Sequence, residues 1–109
     1  MAIVHITDET FEKEVIQSPI PVLVDFWADW CAPCRMLGPV IEELEVKYRG
    51  KIHVGKLDID RQPISAVTHK IMSIPTVCMY VHGKEVKRMI GLRDKAELDE
   101  MIRTVLAMQ

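Results

Sequence analysis

Apolar and polar positions change period along the chain, and each period predicts an element. Ile3–Ile6 reads as a short strand. A helix follows from a cap at Thr7 or Asp8, with Phe11 and Val15 four apart on its inner face. Pro19 and Pro21 end it. The run from Pro21 to Trp27 is almost continuously apolar, as in a strand covered on both faces. Met36, Leu37, Val40, Ile41, Leu44 and Tyr48 then recur at helical spacing, and Pro39 among them predicts a kink or local break.

Lys51–Ile59 reads as a further strand, and a short helix spans Pro63–Lys70. Thr76–His82 and Glu85–Ile90 flank Gly83-Lys84 as a hairpin. The last helix starts at Asp94, with Glu97 completing a capping box. Ala96, Leu98, Met101, Ile102, Val105 and Leu106 supply its buried stripe. Alternating strand–helix units closed by a hairpin predict an α/β fold, one mixed sheet with helices on both faces. With 109 residues and no linker, repeat or low-complexity stretch, the expectation is a single domain over 1–109.

Composition narrows the function. Hydrophobic residues at 49% and charged residues at 28% fit a globular chain rather than a disordered one. A net charge of −2 gives bulk electrostatics nothing with which to attract nucleic acid or an anionic membrane. No apolar stretch approaches the ~18–20 residues of a membrane span, and the opening turns acidic before a signal-type core forms. The expectation is a cytoplasmic protein.

The chemistry lies in the cysteines. Of three, Cys31 and Cys34 form a Cys-Ala-Pro-Cys unit and Cys78 stands apart. The close spacing fits either a metal clip or a redox dithiol. A tetrahedral zinc site needs four ligands, commonly two close pairs, and Cys78 with His5, His53, His69 and His82 offers no second pair. Redox chemistry is favoured. A strand ending at Trp30 and a helix starting after it put Cys31 at a helix N-terminus, where free N–H groups and the peptide dipoles favour a thiolate. Cys34, three residues on, lies on the same helix face within disulfide reach. Pro33 loses no hydrogen bond there. Cys31 is therefore the candidate nucleophile and Cys34 the resolving thiol.

Asp25 is the second unusual residue, a carboxyl inside Val-Leu-Val-Asp-Phe-Trp. Coverage of both strand faces would bury it and raise its pKa. So costly a residue suggests a chemical role, which is to accept the Cys34 proton.

The segment Val24-Asp25-Phe26-Trp27-Ala28-Asp29-Trp30-Cys31-Ala32-Pro33-Cys34-Arg35 resembles the active-site segment of thioredoxins. Pro39, Lys56-Leu57-Asp58-Ile59-Asp60, Ile74-Pro75-Thr76, Gly83 and Gly91 follow in the family's order, so the likeness covers essentially the whole chain. It implies the thioredoxin fold, a central mixed five-stranded sheet flanked by four helices. It also implies a protein-disulfide reductase acting by thiol–disulfide exchange. Lys56 matches a position whose side chain lies near the buried aspartate and modulates it; as a residue by itself it reads equally as a surface lysine.

Trp30, Ala32, Pro33, Ile74, Pro75 and Gly91 match a substrate-binding surface around an exposed sulfur, with Ile59 and Met72 at its rim. The Ile74-Pro75 bond is expected to be cis. The resemblance further implies a monomer with no bound cofactor or metal. Its partners would be disulfide-containing target proteins and a thioredoxin reductase, either an NADPH-dependent flavoenzyme or a ferredoxin-linked one. Thiolate formation alone gives little, because a less basic sulfur is also a weaker nucleophile, so docking must supply most of the rate.

Three departures from the family pattern matter little to this expectation. Ala32 stands where glycine is commoner, and Arg35 replaces a common lysine while keeping its charge. Cys78, within an apolar run, reads as a buried, inert thiol, with a regulatory or dimer-forming cysteine as the sharper alternative. Two other readings remain: an oxidant or isomerase on the same fold, for which Ala32-Pro33 is the wrong pair of intervening residues, and a binding subunit whose docking surface serves assembly.

Overall fold

The computed structural model describes residues 2–109; Met1, counted in the expected domain, lies outside the described residues. In chain order the elements are β1 (Val4–His5), a π-helical turn (Glu12–Ile16), β2 (Val22–Trp27), α1 (Ala32–Lys47), β3 (His53–Asp58), α2 (Pro63–Thr68), β4 (Thr76–Val81), β5 (Lys84–Ile90) and α3 (Lys95–Ala107). The strands form one sheet in the order β1-β3-β2-β4-β5. β1, β3 and β2 run parallel, and β4 and β5 are antiparallel to their neighbours. This is the expected mixed five-stranded sheet with four helical segments.

Alternation along the central strands divides the core into two layers. Leu23, Val54, Val77 and Met79 meet Leu37, Ile41 and Leu44 of α1 and Leu98, Ile102 and Val105 of α3. Val22, Val24, Phe26, Leu57, Cys78 and Tyr80 pack on the other face with Phe11, just ahead of the π-helical turn, and Val15 within it. Because β2 is covered on both sides, five of its six residues are buried, as its apolar run requires. Asp25 shares the odd-numbered face with Leu23, so it points toward the α1 layer.

Several local expectations change. Thr7 and Thr10 exchange hydrogen bonds (2.9 and 3.1 Å) in the turn ahead of the first helical segment, whose N-cap is Phe11 with no side-chain cap, so neither Thr7 nor Asp8 caps it. Asp8 serves α2 instead, its carboxylate accepting from the Ser65 and Ile64 N–H groups at 2.7 and 3.3 Å. The Asp8 N–H in turn donates to Gln62 Oε1 at 2.8 Å, so a reciprocal cap is assembled from two distant segments. The Gln17 N–H reaches back five residues to Glu12, which gives the π turn.

α1 runs helical through Pro39 with no break. Met36 and Ala96, expected in buried stripes, are exposed, at the edges of their helices' apolar arcs. His82 and Gly83 both have positive φ (49° and 81°), so the hairpin turns on His82-Gly83 and β5 begins at Lys84. That geometry is the type I′ turn, which matches the strand twist. The Asp94–Glu97 capping box forms in both directions, as expected.

Candidate redox site

The expected site residues converge on one end of the sheet. Strands β2 and β3 finish there, β4 begins there, and β5 ends opposite it: Trp27 pairs with Asp58, Phe26 with Thr76, and Thr76 with Ile90. Ile59 follows β3, and its N–H donates to the Trp27 carbonyl at 3.0 Å. Ile74-Pro75 is cis and immediately precedes β4, beside the end of β2. Gly91 donates its N–H to the Pro75 carbonyl at 2.8 Å, with φ at 91°, a conformation that favours glycine.

Cys31 is the N-cap of α1, and Ala32 and Pro33 begin the helix. Its Sγ accepts a hydrogen bond from the Cys34 N–H at 3.2 Å. The two cysteines are joined as a disulfide, with Cα atoms 5.2 Å apart. In the reduced protein the same N–H and the helix N-terminus favour negative charge on Cys31. One expectation needs correcting. The sulfur pictured as exposed is nearly covered in this disulfide form, at 4% exposure for Cys31 and 2% for Cys34.

The surroundings divide into exposed and covered members. Trp30 is 67% exposed, and its indole N–H donates to Asp60 Oδ2 at 2.8 Å, which fixes the ring beside the dithiol. Ala32 and Pro33 are exposed, Ile59, Ile74 and Gly91 are partly exposed, and Met72 is 92% exposed. Pro75, expected to help form the surface, is itself buried. It shapes the chain there rather than presenting its ring. Arg35 turns back to the Asp29 carbonyl at 2.8 Å.

Beneath the site, Asp25 is fully buried, and neither carboxylate oxygen has a hydrogen-bond partner. Burial pushes its pKa up to about 7, against the lowering influence of the Lys56 charge. Lys56 is Asp25's register partner on β3 and is partly buried, so it is more than a surface lysine. Its ammonium lies 4.7 Å from the centroid of the Trp27 ring, and an added Cβ at Gly38 of α1 would stand 3.9 Å from it. Trp27 and Lys56 also line an open cleft of about 360 Å³ with Asp29, Asp58 and Arg61. Lys56 is thus both the register neighbour of the buried carboxylate and part of the wall of an open cleft.

The sequence reading missed Trp27 as the platform for Lys56. The signal was there: Trp27 lies two residues from Asp25 on the same strand face. It missed the Trp30–Asp60 tether, which depends on a contact across 30 residues. Cys78 is fully buried in β4, in the layer opposite α1, and burial pushes its pKa up to about 12. That placement removes it from the dithiol and supports the inert reading.

Among the described residues, no group of three or more His, Cys, Asp and Glu side chains lies together to hold a metal ion. No helix among them is long and apolar enough to cross a membrane.

Comparison with known proteins agrees with this geometry. The thioredoxin family model matches residues 2–104. A thioredoxin of Rickettsia bellii is 46% identical over 98 residues, covering 90% of this chain and 93% of its own. Thioredoxin 1 of a Nostoc species is 44% identical over 101 residues, covering 93% and 94%. A Staphylococcus aureus thioredoxin is 44% identical over 102 residues, covering 94% and 96%. With this coverage and the Cys31–Cys34 pair at the start of α1, the chain belongs to the thioredoxin family of disulfide oxidoreductases.

Proposed function

We propose that the chain is a general reductant of protein disulfides, and that its residues divide the work as follows. The Cys31 thiolate attacks one sulfur of a target disulfide, forming a mixed disulfide and releasing the target's other sulfur as a thiolate. Cys34 loses its proton and attacks the Cys31 sulfur, closing the Cys31–Cys34 bond and freeing the second target thiol. Two electrons pass to the target, and the dithiol becomes a disulfide. The observation that carries this reading is the N-cap position of Cys31, with the Cys34 N–H aimed at its sulfur.

Asp25 takes the Cys34 proton. Its pKa of about 7 leaves it part ionised near neutrality, so it can both accept and return a proton. Lys56 modulates Asp25 by favouring its charged form. Trp30, Ala32, Pro33, Ile59, Met72, Ile74 and Gly91 form the face on which a target lies, and buried Pro75 shapes it. The segment before β4 presents backbone for an extended target strand to pair with.

Membership of the family implies disulfide-containing targets and a reductase that restores the dithiol. In our reading that reductase is an NADPH-dependent flavoenzyme or a ferredoxin-linked one. The chain itself works as a one-domain monomer in the cytoplasm and holds no cofactor.

An equilibrium titration of the Cys31–Cys34 couple against a dithiol buffer tests the direction of flow. The expected result is a reversible two-electron couple well below the glutathione poise. A potential near or above that poise would make the protein an oxidant or isomerase. The Cys34→Ser variant should accumulate a mixed disulfide through Cys31 when given a protein disulfide; accumulation through another residue would overturn the assignment.

A further inference from the structure

The Arg88 guanidinium, on β5, makes four hydrogen bonds. Nε and Nη2 donate to the two oxygens of Glu85, both at 2.8 Å. Nη2 also donates to the His69 carbonyl at 2.6 Å and Nη1 to the Lys70 carbonyl at 3.1 Å. Pairing of Arg88 with Cys78 across β4 and β5 puts the side chain on the sheet face opposite α1. Three-quarters of that side chain is covered. Glu85 therefore anchors a rigid fork whose other side grips the end of α2.

That end is unusual. His69 is the C-cap of α2, and Lys70 follows with φ at 56°, in the left-handed region that favours glycine. The Lys70 N–H donates to the Val67 carbonyl at 3.0 Å and the Ile71 N–H to the Ala66 carbonyl at 2.9 Å. This is the bond pair of a Schellman cap, built on a lysine. The Tyr80 hydroxyl pairs with His69 Nδ1 at 3.1 Å, and the His69 ring lies 4.3 Å from that of Phe11.

From this cap the chain runs through Ile71, Met72, Ser73 and Ile74 to Pro75. The far end is held by Gly91 N–H on the Pro75 carbonyl and by Thr76 Oγ1 on the Ser73 carbonyl at 2.7 Å. The edge strand β5 and the residue after it thus brace both ends of a segment whose middle carries Met72, almost wholly exposed.

We propose that Arg88 is a positioning residue for target docking, its Glu85-anchored guanidinium setting the angle at which the 71–75 segment meets a protein disulfide. The inference rests on the docking role given to that segment under the proposed function. It goes further by placing control of docking in a residue on β5 that the target need not touch. A purely structural Arg88 would change stability without changing which substrates react.

The test uses the reduced full chain in single-turnover reactions with insulin, as a protein disulfide, and with a small aromatic disulfide that offers no chain to lie along the segment. Arg88→Met removes the fork. Arg88→Lys keeps charge and stem but replaces the planar fork by one ammonium, and it decides the matter if Arg88→Met does not fold. The ratio of the insulin rate constant to the small-disulfide rate constant should fall five- to tenfold in Arg88→Met and less in Arg88→Lys. The potential of the dithiol should stay where it is. Amide exchange at Ile71, whose N–H closes the cap on the Ala66 carbonyl, should quicken at least tenfold. A ratio within twofold of wild type in every variant that folds, or a loss shared equally by both substrates, overturns the role of Arg88. A wild-type protein that reduces neither substrate refutes the proposed function itself, which is a separate result.

Discussion

Replacing Asp25 by Asn should shift stability in the variant's favour by an amount that grows with pH. The carboxyl is fully buried and has no hydrogen-bond partner, so the folded protein holds its proton to a pKa of about 7, against 3.8 for the ordinary group. Well below pH 3.8 both the folded and unfolded states carry the proton, and the group adds no pH dependence. Between these values the unfolded chain ionises while the folded one does not, so folded wild type binds more protons and loses stability as pH rises. The loss comes to about 2 kcal/mol at pH 5.5 and levels off near 4 kcal/mol by pH 8.

Asn removes this penalty at every pH. Its own unpaired amide costs ~1–3 kcal/mol, but that cost does not vary with pH. The clean quantity is therefore the change in the stability difference between pH 4 and pH 8. Guanidinium unfolding of oxidised wild type and Asp25→Asn at several pH values measures it, with the thiols out of the titration. The difference should move in favour of Asn by about 4 kcal/mol across that range. Release of target from the mixed disulfide should slow in the same variant and lose its inflection near pH 7. A stability difference that is flat across the range would refute the buried neutral carboxyl, and unchanged release would refute its role as proton acceptor.

Two further outcomes follow from buried groups away from the dithiol. Asp99 of α3 accepts from Lys47, from the buried Tyr48 hydroxyl and from Arg103 at 3.1 Å. The two cationic side chains are about half exposed, so most of the loss in Asp99→Ala is the stranded hydroxyl: about 2 kcal/mol by urea unfolding, and about half of that in Asp99→Asn, which keeps an acceptor. A cost below 0.5 kcal/mol for the alanine variant would show that Tyr48 finds another partner (~1–3 kcal/mol is the usual penalty when it does not). For Cys78, iodoacetamide on the native reduced protein should leave this thiol unlabelled until denaturation, as its burial and raised pKa dictate. Fast labelling of Cys78 would restore the regulatory reading.

Features governed by local periodicity were legible in the sequence. The apolar run of β2, the dithiol at a helix start, the capping box at Asp94 and the buried Asp25 all appear where the residues imply. Periodicity was weakest at the margins of a stripe, and there Met36 and Ala96 were misplaced. Pro39 shows a different limit, because a proline's missing hydrogen bond need not end a helix whose apolar face is held by a sheet.

Contacts across the fold left no local trace. Asp8 has the composition of a cap for its own helix, yet it caps another 56 and 57 residues away. Arg88 reads as one more surface charge until the register of β4 and β5 turns it toward His69. Which neighbours a polar side chain finds depends on strand order, and strand order is not written in the period of any one segment.

The cap shared by Asp8 and Gln62 has a consequence for cooperativity. α2 is six residues long, and isolated helices below ~12–15 residues are marginal in water. Its first turn is closed by a carboxylate 56 residues earlier in the chain, so α2 persists only while the Thr7–Thr10 turn is in place. The two segments should therefore open together, as one unit of local unfolding, with matched hydrogen-exchange rates at Asp8 and Ser65. Any fluctuation that frees the N-terminal turn also loosens α2 and the segment that follows it. On the proposed docking role of that segment, the surface offered to a target is then set partly by the turn at residues 7–10.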